Sequence, residues 1–255
     1  MCWQPAASRP SRTIVVVPPF GEELNKSRRM LALQAQALCG AGVASVLPDL
    51  FGTGDSDGDF GDATWSCWME DVRATIRWAD KEFGAPVDVL AVRSGALLAL
   101  QAITELATPV RRIVLWAPTH SGRTFLTQFL RVQLAAASVF GAEAKVGTQA
   151  LWAKLRGGDT IEVAGYRLSG AIACCMESLN LIDLLVARSP SATLFDISPM
   201  SDEPSAATVK LLLHADSTGV SLNCIAVQGD HFWSTAEITI VPELIRRTSV
   251  VLGKA

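Results

Sequence analysis

The chain has 255 residues, of which 49% are hydrophobic and 18% are charged, and its formal net charge is −3. This composition excludes a disordered chain and gives no electrostatic reason to expect nucleic acid as a partner. Because no apolar run approaches the roughly 18 residues of a membrane span, we expect none. The length is sufficient for one large α/β domain with a sizeable core.

The cysteine pattern and the N-terminus indicate a cytoplasmic protein. The first twelve residues contain no apolar segment of signal-peptide length. None of the six cysteines shows C-x-x-C spacing, so we expect reduced thiols rather than a disulfide framework. We expect no cofactor and no metal. The acidic loop that starts at Asp55 echoes calcium-ligand spacing, but Ser66 stands where the final glutamate ligand belongs.

Strand and helix patterns alternate along most of the chain. Short apolar runs rich in β-branched residues predict buried strands, and helical periodicity follows each of them. This alternation predicts an α/β fold with a mostly parallel sheet, flanked by helices and connected by right-handed crossovers. The predicted strands are 14–17, 43–47, one that begins at 87, 111–116, 193–197 and 224–227, and the predicted helices are 26–39, 64–83, one that ends near 106, 204–215 and one that begins at 242.

The alternation lapses after the fourth predicted strand. Residues 117–189 show helical periodicity without a further strand of the same sheet, and one helix is predicted at 171–187. We therefore expect a single domain, 1–255, with a helical cap inserted at about 117–190. Three aromatic residues of this cap are candidates either for an acyl pocket or for packing against the core: Phe125, Phe129 and Trp152.

The turn after the third predicted strand has the pattern of a nucleophile elbow. In α/β-hydrolases, a strand, a sharp turn and a helix carry the nucleophile in the pattern G-x-S-x-G. Here the frame runs from Ala91 to Gly95 and puts Arg93 in the nucleophile position. A protonated guanidinium cannot attack a carbonyl. Ser94 is therefore the candidate nucleophile, although that shifted frame puts Val92 where the turn needs a small residue; the alternative is a local hydrogen bond at a helix N-terminus.

Arg93 needs a compensating charge, because a cation at a helix N-terminus is unfavourable by roughly 0.3–1 kcal/mol. We expect Glu22 or Glu23, in the loop after the first core strand, to supply it. Two interpretations remain open: a structural ion pair, or binding of a substrate carboxylate or phosphate by the arginine. Phe20 and Gly21 of the same loop have backbone N–H groups for an oxyanion hole, although a neighbouring carboxylate opposes an oxyanion.

A candidate acid and a candidate base follow in the chain order that α/β-hydrolases use. Asp202 comes after the fifth predicted strand, with Asp196 as its rival, and His231 comes after the last strand. In this arrangement the histidine accepts a proton from the nucleophile and the acid fixes its tautomer. His231 could also activate water directly. His120 and His214 are less informative, the latter because it lies within a predicted helix.

Five segments spread over most of the chain resemble one family. They are PPFGEELNKSRRM (18–30), LPDLFGTGDS (47–56), WAPTHSGRTFLTQFLR (116–131), VAGYRLSG (163–170) and HFWSTAEI (231–238). Together they resemble the second type of α/β-hydrolase-like protein encoded with exosortase A systems in bacterial exopolysaccharide loci, in which arginine also stands at the elbow. The resemblance implies an α/β-hydrolase fold, a cytoplasmic location and a part in polysaccharide production, but no particular substrate.

Two functions are consistent with these observations. The first is hydrolysis of an ester or thioester in a small-molecule, glycan or acyl substrate, with His231 as base, Asp202 as its orienting acid and Ser94 as nucleophile. The second is a catalytically inactive protein that binds an anionic glycan intermediate or a partner protein, with Arg93 as the anchor. The sequence predicts no oligomeric state.

Overall fold

The computed structural model describes residues 1–5, 9–139, 147–187 and 191–253. Its strands are β1 (Cys2–Trp3), β2 (Arg12–Val17), β3 (Val43–Val46), β4 (Val87–Val92), β5 (Val110–Trp116), β6 (Thr160–Val163), β7 (Tyr166–Ser169), β8 (Ser191–Ser198) and β9 (Leu222–Gln228). Its helices are α1 (Glu22–Gly40), α2 (Trp65–Phe83), α3 (Gly95–Thr104), α4 (Gly122–Val139), α5 (Thr148–Arg156), α6 (Gly170–Glu177), α7 (Leu181–Ala187), α8 (Ala206–Ser217) and α9 (Pro242–Gly253), with a 3₁₀ turn at Phe60–Asp62.

Seven strands form the central sheet, in the order β1-β3-β2-β4-β5-β8-β9. All pairs in it are parallel except β1–β3. The predicted α/β fold with a mostly parallel sheet is therefore confirmed. The sequence analysis missed β1, which pairs Cys2 with Val46 and Trp3 with Ser45. A strand of two residues is too short to show the alternation that identifies strands in a sequence.

The core lies on both faces of this sheet, because successive side chains of a strand point to opposite sides. On β2, Val15 and Val17 pack in the cluster that includes residues of α2, α3, α4 and α8. Ile14 and Val16 pack in a second cluster, with residues of α1 and α9. Coverage of both faces explains why the parallel strands are continuous apolar runs. Among the described helices, none is both long and apolar enough to cross a lipid bilayer.

The chain between β5 and β8 contains α4, α5, the antiparallel β6–β7 hairpin, α6 and α7; we call this segment the insertion. The single helix predicted at 171–187 is wrong, because the structure has two helices there, α6 and α7. Residues at the break between these two helices contact the β5–α4 loop. Asn180 bridges to Ser121, and the Leu181 N–H donates to the His120 carbonyl at 2.9 Å.

The turn between β4 and α3 is fixed by a close approach to the end of β2. A Cβ atom on Gly95 would lie 2.4 Å from the Pro18 carbonyl oxygen and 2.6 Å from that of Val17. Both are backbone atoms of a buried strand end, so they cannot move aside cheaply. The position therefore requires glycine.

We predict that Gly95→Ala lowers the free energy of unfolding by about 1–3 kcal/mol, because the added methyl group overpacks a rigid site. Gly40→Ala is the matched control: Gly40 ends α1, and a Cβ atom there has no neighbour within 4 Å. This control should leave the stability unchanged or raise it by up to about 1 kcal/mol, the cost of glycine relative to alanine. Urea denaturation of both variants measures the difference. Equal stability of the two variants would contradict the close-approach argument.

Candidate functional site

Arg93 occupies the turn between β4 and α3 with a backbone conformation that is uncommon outside glycine. Its φ angle is +52°. The Arg93 N–H donates to the Trp116 carbonyl at 3.0 Å, and its carbonyl accepts from the Thr119 N–H at 3.1 Å. A non-glycine residue with positive φ is strained and persists when its surroundings fix it. The turn thus has the strained geometry of a nucleophile elbow, with arginine at the nucleophile position.

The Arg93 side chain is held by three neighbours. Its Nε and Nη2 atoms donate to the Glu23 carboxylate at 3.2 to 3.3 Å, and Nη1 donates to the Ala117 carbonyl at 3.0 Å. The guanidinium carbon also lies 4.8 Å from the centroid of the Trp233 ring, within cation–π distance. Three of the five guanidinium N–H groups are used in this way. The other two have no hydrogen bond to a described residue.

Glu23, not Glu22, is the partner of Arg93. The helix α1 begins at Glu22 rather than at the predicted residue 26, so both glutamates lie in its first turn. Glu22 is exposed and accepts from Asn25 and from the Tyr166 hydroxyl, at 3.2 and 3.4 Å. Burial raises the pKa of Glu23, and the charge and hydrogen bonds of Arg93 oppose this rise. The Arg93–Glu23 pair is therefore partly buried, with both side chains about one-fifth exposed, at 18% and 21%.

Beside this pair lies a cavity of about 650 Å³, which we call the elbow cavity. Its walls come from the elbow, the β5–α4 loop, α4, the end of β8, the start of α8 and the loop after β9. These are the carboxyl ends of parallel strands, where open α/β sheets bind their ligands. Four titratable side chains line it, namely Arg93, His120, Asp196 and His231, and seven hydroxyl or amide side chains, namely Thr119, Ser121, Thr124, Gln128, Ser198, Ser205 and Thr208.

Ser94 does not line the elbow cavity. It is 2% exposed, and its Oγ accepts from the Phe20 N–H at 3.4 Å. The serine sits at the start of α3 with helical backbone angles, which turn its side chain towards the core. This position gives the nucleophile prediction for Ser94 no support. The alternative, a local hydrogen bond at the helix N-terminus, is not observed either, because Ser94 makes no side-chain capping bond in α3 and Phe20 lies 74 residues away in the sequence.

The predicted substrate contacts Phe20, Gly21 and Glu22 are not among the residues that line the elbow cavity. Phe20 is 6% exposed because it belongs to an aromatic cluster beneath the insertion. Its ring centroid lies between 5.2 and 6.0 Å from those of Phe125, Phe129, Trp68 and Phe60. Phe125 and Phe129 thus pack against the core, and Phe125 also lines the elbow cavity. Trp152 is also buried.

His231 stands at the mouth of the elbow cavity and is exposed. Its Nε2 atom lies 3.1 Å from the Ile197 carbonyl oxygen, and its ring stacks on Trp233 with centroids 4.8 Å apart. A carbonyl oxygen accepts hydrogen bonds and cannot donate them, so Nε2 carries the proton. In the neutral ring, Nδ1 is then the basic nitrogen. Within the described part of the chain, no carboxylate is hydrogen-bonded to this ring.

Of the two candidate acids, Asp196 lines the elbow cavity and Asp202 does not. Asp202 is exposed in the loop before α8, because the chain leaves the sheet after Ser198. Asp196 Oδ2 accepts from the Ser205 N–H at 2.6 Å, which ties the end of β8 to the start of α8. The structure therefore favours the rival of the predicted acid.

The sequence analysis missed two residues of the elbow cavity, Thr119 and His120. Thr119 is 7% exposed, and its hydroxyl has no hydrogen-bond partner among the described residues. Burial lowers the pKa of His120, with Asp196 raising it and Arg93 lowering it further, so this ring is neutral at pH 7. Thr119 and His120 come soon after the carboxyl end of β5. This position in the chain is the signal that could have identified them. In the described ranges, no group of three His, Cys, Asp or Glu side chains is placed to hold a metal ion.

The sheet order, the elbow at its centre and a cavity at the carboxyl ends of the strands define an α/β-hydrolase fold. A family model described as serine aminopeptidase, S33 (Hydrolase_4) matches residues 8–161, which is more than half of the chain. The chain therefore belongs to this family of the α/β-hydrolase superfamily. Comparison with curated proteins gave no match.

Solved structures of esterases share this fold at low sequence identity. Est1E from Butyrivibrio proteoclasticus with bound ferulic acid is 14% identical, with a TM-score of 0.73 and coverage of 99% of this chain and 92% of that one. A carboxyl esterase from Bacillus coagulans in complex with glycerol is 15% identical, with a TM-score of 0.66 and coverage of 98% and 92%. The thioesterase domain from the curacin biosynthetic pathway is 16% identical, with a TM-score of 0.52 and coverage of 99% and 92%.

We predict that the stability advantage of the wild type over Glu23→Gln decreases as the pH rises above 4.5, the ordinary pKa of glutamate. This advantage is the free energy of unfolding of the wild type minus that of the variant. A carboxyl whose pKa is raised on folding stabilises the folded state below its unfolded pKa, and this contribution is lost as the pH passes through the folded pKa. Urea denaturation over a series of pH values measures the difference. Glu22→Gln, one residue earlier and exposed, is the matched control. An increase of the difference with pH would show instead that attraction by Arg93 outweighs burial.

Proposed function

We propose that this protein binds an anionic, hydroxyl-bearing ligand in the elbow cavity through Arg93, without forming a covalent intermediate. One observation carries the proposal: a guanidinium lies at the elbow where hydrolases of this fold present a nucleophile, and two of its N–H groups have no hydrogen bond to any described residue. Arginine is always protonated in proteins and cannot attack a carbonyl. What it does well is bind a carboxylate or a phosphate through charge-assisted hydrogen bonds.

The neighbours of Arg93 support a binding role. Glu23 and Ala117 hold three of its N–H groups, and Trp233 lies against the guanidinium face. These contacts fix the orientation of the fork before any ligand arrives, and preorganisation of this kind reduces the entropic cost of binding. Glu23 offsets part of the positive charge, so the site favours a ligand that makes further polar contacts with the cavity walls.

The remaining walls support a ligand rich in hydroxyl groups. Seven of the residues that line the cavity have hydroxyl or amide side chains, and the unpaired Thr119 hydroxyl is among them. Such groups both donate and accept hydrogen bonds, as sugar hydroxyls do. The resemblance to proteins encoded with exosortase A systems points the same way. We therefore propose that the ligand is an acidic glycan intermediate of bacterial exopolysaccharide production in the cytoplasm.

We further propose that the insertion acts as a cap over this site within a single domain. Ser121, Thr124, Phe125 and Gln128 support this role, because they line the cavity and lie in or just before α4. Residues from the cap would then contact the ligand on the side opposite the elbow.

Hydrolysis of an ester or thioester is the second candidate function, and His231 favours it. The family and the esterase and thioesterase structures of the same fold are consistent with this chemistry. His231 Nδ1 would take a proton from water, the hydroxide would add to the acyl carbon, and the alcohol or thiol would leave with that proton. Arg93 would stabilise the oxyanion. In this reaction Asp196, which lines the cavity, replaces Asp202 as the nearby acid, and the buried Ser94 has no part.

We predict that Arg93→Gln weakens binding of galacturonate by about ten- to a hundredfold, the usual contribution of a hydrogen bond to a charged group. Isothermal titration calorimetry with galacturonate, and with uncharged galactose for comparison, measures the effect. Arg111→Gln is the matched control, since Arg111 is exposed near the opposite end of the sheet. Equal affinity of wild type and Arg93→Gln for galacturonate would refute the anchoring role of Arg93.

We also predict that a fluorophosphonate probe does not label the wild-type protein, because its elbow presents no hydroxyl to the cavity. Turnover of a panel of p-nitrophenyl esters and acyl thioesters should be equal in the wild type, in His231→Gln and in the control Arg111→Gln, which changes an exposed side chain near the opposite end of the sheet. A loss of turnover by about a hundredfold or more in His231→Gln alone, the size of a general-base effect, would establish the hydrolase instead.

A further inference from the structure

A groove of about 440 Å³ adjoins the elbow cavity along the surface between α7 and α8. It shares three lining residues with the cavity: His120, Ser121 and Ala207. The two spaces therefore lie side by side just before α4 and at the first turn of α8. A ligand longer than the elbow cavity would pass these three residues to enter the groove.

The far part of the groove has an ammonium group and an imidazole ring on one face of α8. Lys210 and His214 are four residues apart, one helical turn, and both are exposed. Lys210 has no ion pair with any described residue. Its three ammonium donors are therefore free of a carboxylate within the described ranges. From Ala207, where the groove meets the cavity, to His214 is seven residues along α8, or roughly 10 Å. The groove thus separates a second cationic site from Arg93 by more than the width of one functional group.

Polar groups line the way between these two cationic sites. His120 stands at the junction, and burial lowers its pKa, so that the neutral ring offers one donor and one acceptor. Asn180 and Asp183 stand on the α7 side of the groove. The Asn180 amide and the Asp183 carboxylate can form hydrogen bonds with hydroxyl groups. The charge of Asp183 disfavours a ligand with a continuous run of negative charge along that wall. The pattern fits separate anionic groups on a hydroxylated chain.

We infer that the ligand is an acidic oligosaccharide that spans both spaces, with one anionic group at Arg93 and a second at Lys210 and His214. This inference rests on the proposed function, because it extends the ligand from the elbow cavity. It adds a chain length of at least two sugar units and a second binding site for negative charge. An acidic monosaccharide reaches the first site alone.

The test compares galacturonate with its linear trimer by isothermal titration calorimetry at an ionic strength of about 0.15 M, where exposed charges are screened as in the cell. We expect the wild type to bind the trimer at least about tenfold more tightly than the monomer, because an added charge-assisted contact contributes a factor of that order. Lys210→Glu should remove this advantage and change monomer affinity by less than about twofold. Lys81→Glu, an equal charge change on the exposed side of α2, should retain the advantage.

The outcomes separate the inference from the proposal beneath it. If galacturonate binding does not depend on Arg93, the proposed function fails. If galacturonate binding depends on Arg93 but the trimer binds no more tightly than the monomer, the inference of a ligand that spans both spaces fails and the proposed function is unaffected. Retention of the trimer advantage in Lys210→Glu would likewise overturn the assignment of the second anionic group.

Discussion

The site depends on the contact between the first turn of α3 and the carboxyl end of β2. Gly95 lies against the Pro18 carbonyl, where a Cβ atom would approach within 2.4 Å. This contact makes the turn sharp and holds Arg93 at a φ of +52°. The constraint also decides which side chain faces the cavity. Arg93 lines the cavity, whereas Ser94, at the start of the helix, is buried and does not line it.

An arginine at this turn reverses the electrostatic character of the site. A hydrolase of this fold uses the positive end of the elbow helix and nearby N–H groups to stabilise an anion that forms during the reaction. Here a permanent cation stands at the same place, together with the carboxylate of Glu23. The pair offsets the unfavourable position of a cation at a helix N-terminus. An α/β-hydrolase scaffold is thus combined with a fixed positive charge at its elbow.

Local patterns in the sequence were sufficient for the sheet, the helices around it and the elbow frame, because these depend on periodicity and on short turns. The pairing of Arg93 with a glutamate could also be predicted, since β2 and β4 are neighbouring parallel strands whose carboxyl ends lie at the same edge of the sheet. The sequence could not show which loop residues face the cavity. Whether Asp196 or Asp202 lines the cavity depends on the path of the chain after β8. Thr119 and His120 line it because the β5–α4 loop packs against α7. The break between α6 and α7 likewise arises from contacts distant in the sequence.

The aromatic cluster beneath the insertion has a consequence for how molecules reach the site. Phe20 of the core interlocks edge to face with Phe125 and Phe129 of α4, with centroids 5.2 and 5.7 Å apart. To swing α4 outward as a hinged lid would expose these rings to water, at roughly 25 cal/mol for each Å² of apolar surface uncovered. A large outward swing of α4 is therefore costly, and side-chain rotations at the rim of the cavity are the cheaper way to widen its entrance.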